Sequence, residues 1–370
     1  MVSTNAGQNP QWMGKIENED GVKILQNPRE PLYGEMTFDL EEDLSIGSED
    51  DSHYMFYRIR GLAVDAEYNV LISDMSNFRI QVFDREGKYI KTIGRSGQGP
   101  GEFEQPTLVR LEGSSGKIYV KDMFRALDVF ERDGDFVKSL KLNFGIHDFF
   151  PLEDDTILAL LLRSADEEIK NVHVLCRLDD QGEILDSFAE YPYTNLMKRV
   201  SGGVLSTSTG YELAAHVAVL DQEKFVYGYS KEYELNVMSR EGKLLYRIRM
   251  DQPRPQFTSE EQSEYKRIKF PVPEFKPYFF SIFSDTEGRI YVQRNKTEVG
   301  IRGYGPIDTA KKEVDILSPD GYFLYRSSLP PNTSIIKNGY LYTRELDEDE
   351  GMEYVKRYKI KNWEQIKKGR

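Results

Sequence analysis

Short segments in which apolar and polar residues alternate recur along most of the chain, separated by turns rich in Gly, Asp and Asn. In the clearest copy, residues 61–94, Ile80 and Val82 alternate with Arg79 and Gln81. A period of two places apolar side chains on one face of a β-strand. Residues 61–94 therefore read as four strands: GLAVDAEYN, VLISDMSNF, RIQVFDREG and KYIKTIG.

The same four-strand unit recurs, and the turn between its third and fourth strands marks each copy. Acidic-x-Gly and Asp-Gly turns supply the positive φ that tight hairpins require. Five such turns, DREG, RDG, DDQG, SREG and SPDG, occupy residues 84–87, 132–134, 179–182, 239–242 and 318–321. A sixth unit, TSIIKNG, YLYTREL and EYVKRYKI, has only three strands.

The missing strand of the sixth unit is predicted from residues 35–45, EMTFDLEEDLS, in which Met36, Phe38 and Leu40 alternate with polar residues. Pairing this segment with the last unit closes a ring and removes a free sheet edge. The predicted fold is an all-β, six-bladed β-propeller with four-stranded antiparallel blades. A pair of stacked sandwiches is the alternative.

The predicted organisation is a lead-in segment, residues 1–34, followed by a single propeller domain, residues 35–370. The predicted blades span about residues 58–94, 105–142, 146–190, 214–250, 278–329, and 332–361 together with 35–46.

Residues 77–106, NFRIQVFDREGKYIKTIGRSGQGPGEFEQP, resemble an NHL-type repeat. They are more closely similar to the NHL-like six-bladed propellers common as uncharacterised exported proteins and lipoproteins of Bacteroidetes-like bacteria, with GQGPGEF at residues 97–103 as the specific motif. The resemblance is strong over about residues 58–142. It implies the fold. The opening of the chain, including Asn27-Pro28 and residues 44–47, also resembles the lead-in of such lipoproteins just after their anchor cysteine, which implies a periplasmic or cell-surface location and a lipid anchor outside this sequence. The resemblance does not fix the function.

Composition excludes several classes of function. Lys plus Arg number 49 and Asp plus Glu 62, giving a net charge of −13, whereas nucleic-acid binding and anionic-lipid docking need a basic face. The longest apolar run, residues 157–162, is far shorter than the roughly 20 residues of a membrane span. Residues 1–7 show no signal peptide, so a cytoplasmic location stays open. The single cysteine, Cys176, excludes an internal disulfide and is predicted to be a core thiol.

Long links are predicted on one face of the propeller, because the connections between blades and between second and third strands all emerge there. The elaborated segments are residues 95–105, 191–211, 250–277 (with a short helix at 260–269 capped by Thr258 or Ser259) and 294–312. Insertions gathered on one face often carry function. Capping of the propeller is the alternative.

The first residues of the innermost strands should form a polar ring at the channel mouth on that face, the usual place for a ligand. The ring comprises Arg58, Arg60, Gln105, Thr107, His147, Asp148, His216, Tyr278, Phe280, Asn332 and Ser334.

Zinc and calcium are the two metals that this ring is considered to bind as alternatives. NHL-like propellers include an amidating lyase that binds zinc through channel histidines, and His147 and His216 resemble such a pair. A catalytic zinc site needs about three protein ligands, whereas His173 is expected away from the channel and His53 precedes blade one. Gluconolactonase-type propellers bind calcium in the channel, and only Asp148 and Asn332 resemble their ligands. The acidic segments 49–51 and 347–350 read as solvated turns.

The preferred interpretation is a non-enzymatic module without a cofactor that binds a ligand or protein partner, such as a glycan or peptide. Its predicted ligand-binding residues are Arg60, His147, Tyr193, His216, Tyr278, Arg302 and Tyr304, with Tyr211 and Tyr265 as further contacts. Tyrosine suits this role because it joins an apolar ring to a polar tip. The alternatives are a metal-dependent lyase or hydrolase using zinc or calcium at His147 and His216, and a scaffold within an envelope assembly.

Overall fold

Six blades of four antiparallel strands form the fold, with strand order running outward from the first strand of each unit. The computed structural model describes residues 10–123, 126–165, 170–200, 203–207, 210–267, 272–294, 311–347, 351–366 and 369. Three strands precede the first complete blade: β1 (Lys15–Glu19), β2 (Val22–Asn27) and β3 (Leu40–Ile46).

The first three blades follow one another directly along the chain. Blade one contains β4 (Ile59–Val64), β5 (Val70–Asp74), β6 (Arg79–Phe83) and β7 (Tyr89–Ile93). Blade two contains β8 (Pro106–Leu111), β9 (Ile118–Asp122), β10 (Ala126–Phe130) and β11 (Phe136–Lys141). Blade three contains β12 (Gly145–Pro151), β13 (Ile157–Ala165), β14 (Lys170–Leu178) and β15 (Ile184–Tyr193).

The last three blades are separated by longer connections. A two-stranded hairpin, β16 (Leu196–Val200) and β17 (Gly203–Thr207), precedes blade four. Blade four contains β18 (Ala215–Val219), β19 (Lys224–Tyr229), β20 (Glu234–Ser239) and β21 (Leu244–Met250). Blade five contains β22 (Ser281–Ser284), β23 (Ile290–Gln293), β24 (Lys312–Leu317) and β25 (Phe323–Leu329). Blade six contains β26 (Thr333–Lys337), β27 (Tyr340–Asp347), β28 (Met352–Ile360) and, on its outer side, β3.

The pairing of β3 with β28 closes the ring, as the sequence predicts. The two strands are antiparallel, with Leu40 opposite Ile360 and Ile46 opposite Val355. Pairing begins later than predicted because Met36 and Phe38 belong to the apolar cluster around Ile360 rather than to the strand. Their alternation with polar residues therefore arises because one side of an extended segment is buried, and it does not indicate strand pairing.

The N-terminal segment before β3 contributes more than a lead-in. Strands β1 and β2 form a hairpin, and β2 runs parallel to β21, which extends the sheet of blade four to six strands. Buried Asn27 at the end of β2 donates from Nδ2 to the Gly321 carbonyl at 2.8 Å. Its Oδ1 accepts from the Phe323 amide at 2.9 Å and from Trp12 Nε1 at 3.1 Å. The hairpin is thus joined to blade five as well as to blade four.

The five predicted hairpin turns all close on glycines with positive φ, which L-residues with a side chain rarely adopt. Their φ values are 80°, 95°, 87°, 87° and 89° at Gly87, Gly134, Gly182, Gly242 and Gly321.

One apolar cluster fills each of the six seams between neighbouring blades. Between blades one and two, for example, Leu71 and Ile80 pack with Val109 and Val120, all at most 3% exposed. Cys176 is fully buried in the cluster between blades two and three, and burial raises the pKa of its thiol to about 12, as expected of a core residue.

The predicted helix is α1 (Ser259–Arg267), in the link that follows blade four. Thr258 is its N-cap: the Glu261 amide donates to Thr258 Oγ1 at 3.2 Å, and the Thr258 amide donates to Glu261 Oε2 at 2.8 Å, forming a capping box. Tyr265 is only 2% exposed, so its ring is not available to a ligand. In the part of the chain that the structure describes, no helix has the length and apolar character needed to cross a membrane.

Candidate functional site at the seam of blades three and four

His147 lies at a break in strand regularity in the innermost strand of blade three. In β12, Ile146 lies opposite Leu161 and Asp148 lies opposite Leu160, so His147 is the extra residue of a β-bulge. Bulges re-aim a side chain and are common next to functional sites. The His147 side chain is exposed, whereas the next residue, Asp148, is held by an ion pair with Arg110 at 2.9 Å.

The same irregularity recurs in other innermost strands. Arg60 in β4 and Ser334 in β26 are likewise extra residues, and the register of β8 shifts between Pro106 and Val109. Four of the six innermost strands therefore carry a bulge near the predicted channel mouth, whereas β18 and β22 are regular.

His173, which the sequence predicts to lie away from the channel, is directly beside His147. It is fully buried in β14, with its ring centroid 4.5 Å from that of His147. The ring of Tyr193 stacks on it at 4.5 Å and 13° and also lies 6.1 Å from His147. Three aromatic rings from the first, third and fourth strands of blade three thus meet in one cluster.

The hydrogen bonding of His173 fixes its tautomer. The Ala215 amide of blade four donates to His173 Nδ1 at 3.2 Å. Since a backbone amide can only donate, Nδ1 carries the lone pair, and the proton of the neutral ring is on Nε2. Within the described part of the chain, buried Nε2 has no hydrogen-bond partner. An unmet buried donor costs about 1–3 kcal/mol, and no described residue supplies an acceptor for this N–H.

His216, the residue after Ala215, completes the imidazole cluster and contacts Phe279 edge-on at 5.6 Å. Burial, reinforced by the neighbouring imidazoles, lowers the pKa of His173 to about 2 and that of His216 to about 3. The side chain of His147 is exposed to solvent, but the surrounding protein still removes much of its hydration, and this desolvation lowers its pKa as well. The cluster is therefore uncharged at neutral pH, and it can offer hydrogen bonds and ring faces but no positive charge.

Acid is expected to destabilise the protein through His173. Its folded-state pKa of about 2 lies below the ordinary 6.5, so below pH 6.5 the unfolded chain binds a proton that the folded chain does not. This stability is present above pH 6.5 and is progressively lost as the pH falls; the loss from His173 alone reaches about 2 kcal/mol at pH 5.

Urea unfolding of the wild type and of His173→Gln between pH 8 and pH 5 tests this expectation. The variant should lose about 2 kcal/mol less than the wild type over that range. His53→Gln is the control, because His53 is half-exposed and bonded to Asp51 at 2.9 Å, outside the cluster. If the wild type and His173→Gln lose the same unfolding free energy between pH 8 and pH 5, His173 is protonated at pH 5 in the folded state, and the expectation is wrong.

The structure brings three of the predicted ligand-binding residues together, His147, His216 and Tyr193, around the unpredicted His173. Arg60 belongs to blade one, and its carbonyl accepts from Arg344 Nη1 at 3.1 Å. Tyr278 precedes β22, with its ring 4.7 Å from the Arg254 guanidinium. Two further predicted residues, Arg302 and Tyr304, lie outside the described residues.

The cluster is poorly suited to a metal. A metal bound at His173 Nε2 would need the proton on Nδ1, where it would face the Ala215 N–H. That leaves His147 and His216, fewer than the about three protein ligands of a catalytic zinc. Among the described residues, no group of three or more His, Cys, Asp or Glu could hold a metal ion. His53, the other histidine considered, packs on Tyr89 at 4.0 Å beside blade one.

Sheet order, ring closure and seam packing define the protein as a six-bladed β-propeller. The chain belongs to the family DUF5128, described as a 6-bladed beta-propeller, whose model matches residues 62–267.

Two solved structures share the fold at low sequence identity. A member of the DUF4221 family from Bacteroides vulgatus superposes with a TM-score of 0.58 at 14% identity, covering 87% of this chain and 98% of that one. A protein of Bacteroides fragilis, provisionally described as exported, gives a TM-score of 0.56 at 11% identity, covering 91% and 99%. At these identities the likeness shows the fold alone.

A sequence relative matches a smaller part of the chain. The protein Brain tumor of Drosophila melanogaster is 30% identical over 80 residues, which are 21% of this chain and 8% of that protein. This chain therefore corresponds to only a small part of that relative.

Proposed function

We propose that this propeller is a non-enzymatic binding module whose ligand site is the imidazole and tyrosine cluster of His147, His173, Tyr193 and His216. One observation carries the proposal: the buried Nε2–H of His173 has no acceptor in the described chain, beside the exposed ring of His147. A donor in such a place is stabilised when a ligand supplies the acceptor.

The charge state of the cluster narrows the chemistry of the ligand. Because the pKa values of the three imidazoles are lowered by burial, they give an anion no net attraction at neutral pH. A neutral acceptor such as an amide carbonyl or a sugar hydroxyl fits better, and the half-buried Tyr193 offers a ring for a flat apolar group.

The proposal is tested by ¹⁵N NMR of the imidazoles during titration with two probe series. One series consists of free sugars (glucose, galactose and N-acetylglucosamine), and the other of N-acetylated dipeptide amides. We expect one series to shift the His173 Nε2–H resonance saturably and to leave its tautomer unchanged. Which series does so distinguishes a glycan ligand from a peptide ligand.

Two variants separate this site from the rest of the surface. His147→Ala and Tyr193→Leu should each weaken binding about tenfold or more, as expected for the loss of a hydrogen bond or an aromatic contact. Tyr57→Leu, which removes a tyrosine that is 54% exposed elsewhere on the molecule, is the matched control and should bind normally. No saturable shift with either series, or equal losses in all three variants, would contradict the proposal.

A metal-dependent lyase or hydrolase at His147 and His216 is the alternative function. It requires metal that is retained through dialysis in the wild type and lost in His147→Ala. The tautomer of His173 favours the binding module over this alternative.

The proposal includes NHL-type blades and an extracytoplasmic location, periplasmic or at the cell surface with a lipid anchor. The GQGPGEF motif and the description of the Bacteroides fragilis relative support it. Fractionation of cells expressing the gene with its own upstream sequence tests the location. Recovery in the cytosolic fraction alone would exclude it.

A further inference from the structure

Blade two contains a buried carboxyl group that lines a cavity and forms no ion pair with any described residue. Asp128 in β10 is 5% exposed and lies opposite Ser139 of β11. Among the described residues, no basic nitrogen lies within ion-pair distance of it, and its hydrogen bond is to the Ser139 hydroxyl. A buried carboxylate is normally paired with a cation.

The same position in blade five shows what such a pairing looks like. Asp128 lies two residues before the end of its strand, and Asp315 holds that position in β24. Asp315 faces Arg326 across the strand pair at 3.2 Å and is also contacted by Arg294 at 3.0 Å. The hydroxyl of Tyr233 donates to it at 2.7 Å. Where blade five supplies two guanidinium groups, blade two supplies one hydroxyl.

In blade one the residue at the same position, Gln81, carries no charge and therefore needs no counter-ion. Gln81 lies opposite Thr92 and accepts a hydrogen bond from its hydroxyl at 2.5 Å. The Gln81 Nε2 donates to the His53 carbonyl at 2.9 Å, so both ends of the amide are satisfied within the chain. Asp128 therefore differs from both counterparts: it is acidic, and no described residue forms an ion pair with it, although Lys141 acts on it from beyond ion-pair distance.

Asp128 lines an open cavity. A cavity of about 630 Å³ lies between blade two and the link that enters it, lined among others by Gln98, Pro100, Glu104, Asp122, Asp128 and Lys141. The Asp122 oxygens accept from the amides of Gln105 at 2.6 Å and Glu104 at 3.0 Å. Gln98 donates to Glu104 at 2.6 Å. Glu102, the remaining lining carboxylate, accepts from Arg95 Nε at 2.9 Å and from the Gly99 amide at 3.0 Å. Asp128 differs from these three carboxylates because its described hydrogen-bond partner is a single hydroxyl, that of Ser139.

We propose that this cavity binds an organic cation, a guanidinium or alkylammonium group, with Asp128 as its counter-ion in the position that the arginines take beside Asp315. The acidic lining and the net charge of −13 favour entry of a cation. Burial raises the pKa of Asp128 to about 6, which is consistent with a carboxyl group that lacks its partner.

Calorimetric titration of the full chain with methylguanidinium and butylammonium tests the proposal, with N-acetyl-Ala-Arg-Ala-amide as a third probe. We expect saturable binding of at least one cation to the wild type. Tighter binding of the tripeptide than of methylguanidinium indicates a protein side chain as the natural source, and weaker binding indicates a free small cation. Either result supports the site.

Two variants at the carboxyl and one control separate the site from general attraction to an acidic protein. Asp128→Asn keeps the shape and removes the charge, and it should weaken binding about tenfold or more. Asp135→Asn removes an equal charge from an exposed turn residue of the same blade and should change binding little. Equal weakening by the two variants, or no saturable binding to the wild type, overturns the proposal.

The variant Ser139→Arg places a guanidinium group of the chain itself opposite Asp128, as Arg326 lies opposite Asp315. It should abolish probe binding and raise Tm relative to the wild type at pH 7.5. The thermal measurement does not depend on the choice of probe. A Ser139→Arg protein that still binds the probes with wild-type affinity also overturns the proposal, because the site would then lie elsewhere. Neither result depends on His147 or Tyr193, so failure here is distinguishable from failure of the proposed binding function.

Discussion

Replacing Arg289 by methionine is expected to lower the free energy of unfolding by about 3–5 kcal/mol. Arg289 is fully buried in blade five, and its Nε donates to Asp285 Oδ2 at 2.7 Å. Its Nη1 donates to the Ile366 carbonyl at 3.0 Å, and the guanidinium lies 4.1 Å from the Trp363 ring. Methionine keeps much of the side-chain volume but leaves the Asp285 carboxylate buried without its cation.

The loss of stability in Arg289→Met should come mainly from leaving the Asp285 carboxylate buried without a cation. The lost attraction between the two charges should contribute less. Asp285 also accepts from the Tyr291 hydroxyl at 2.8 Å, and this proximity, after burial itself, helps raise the pKa of Tyr291 well above its usual value. The double variant Asp285→Asn/Arg289→Met removes both charges, and we expect it to recover part of the lost stability, because contacting residues are not additive.

Urea unfolding monitored by tyrosine and tryptophan fluorescence measures both effects. Arg85→Met is the matched control, since Arg85 and Glu86 form an ion pair with both side chains more than half exposed. Such surface pairs contribute about 0–1 kcal/mol. If Arg289→Met and Arg85→Met lose the same small amount, the buried pair does not hold the C-terminal segment to blade five.

The repeating parts of the fold were accessible from sequence because their signals are local. A period of two places Ile80 and Val82 on one face of β6. A turn glycine such as Gly87 is recognised because the turn itself requires a positive φ at that position. Ring closure was also accessible, since three strands at one terminus need a fourth from the other. The strand faces and the turns depend on which residues a short segment contains, whereas ring closure is a distant contact that follows from the count of strands.

The antiparallel hairpin at the N-terminus was not predicted, although a signal for it exists. Asp20-Gly21 is a turn pair, and buried Ile24 and Leu25 follow it in a strand. The parallel pairing of β2 with β21 joins segments more than two hundred residues apart. No local pattern specifies which of the six blades receives such an edge strand.

The candidate site was only half predicted, for a similar reason. The positions of His147 and His216 follow from counting the innermost strands, but the contact of His173 with His147 depends on sheet register. Gly145 lies opposite Leu162, which in turn lies opposite His173, so the pairing of three strands sets the level of His173 relative to the bulge at His147. The unmet Nε2–H depends further on the Ala215 amide from the next blade, which no pattern within blade three reveals.

Introducing a charge at Ile46, where the ring closes, is expected to have the largest effect on stability of any single change considered. Ile46 is 1% exposed and packs with Phe56, Tyr342 and Val355 in the seam between blades six and one. Ile46→Asp removes that packing, worth about 2–5 kcal/mol, and buries a carboxylate at a further cost of several kcal/mol. The sum is comparable to the entire stability of an ordinary domain, about 5–15 kcal/mol.

The neighbouring position supplies a control with the same new side chain. Ser45 precedes Ile46 in β3, points to the opposite face and is exposed, so Ser45→Asp should cost little. Circular dichroism in urea compares the two variants, and hydrogen exchange shows where Ile46→Asp opens. Because β3 contributes one strand of blade six, protection should fail first at β28, which loses its outer partner, and last in blades two to four. Equal stability of the two variants, or loss of protection beginning in blades two to four, would mean that pairing of the termini is not what holds the ring closed.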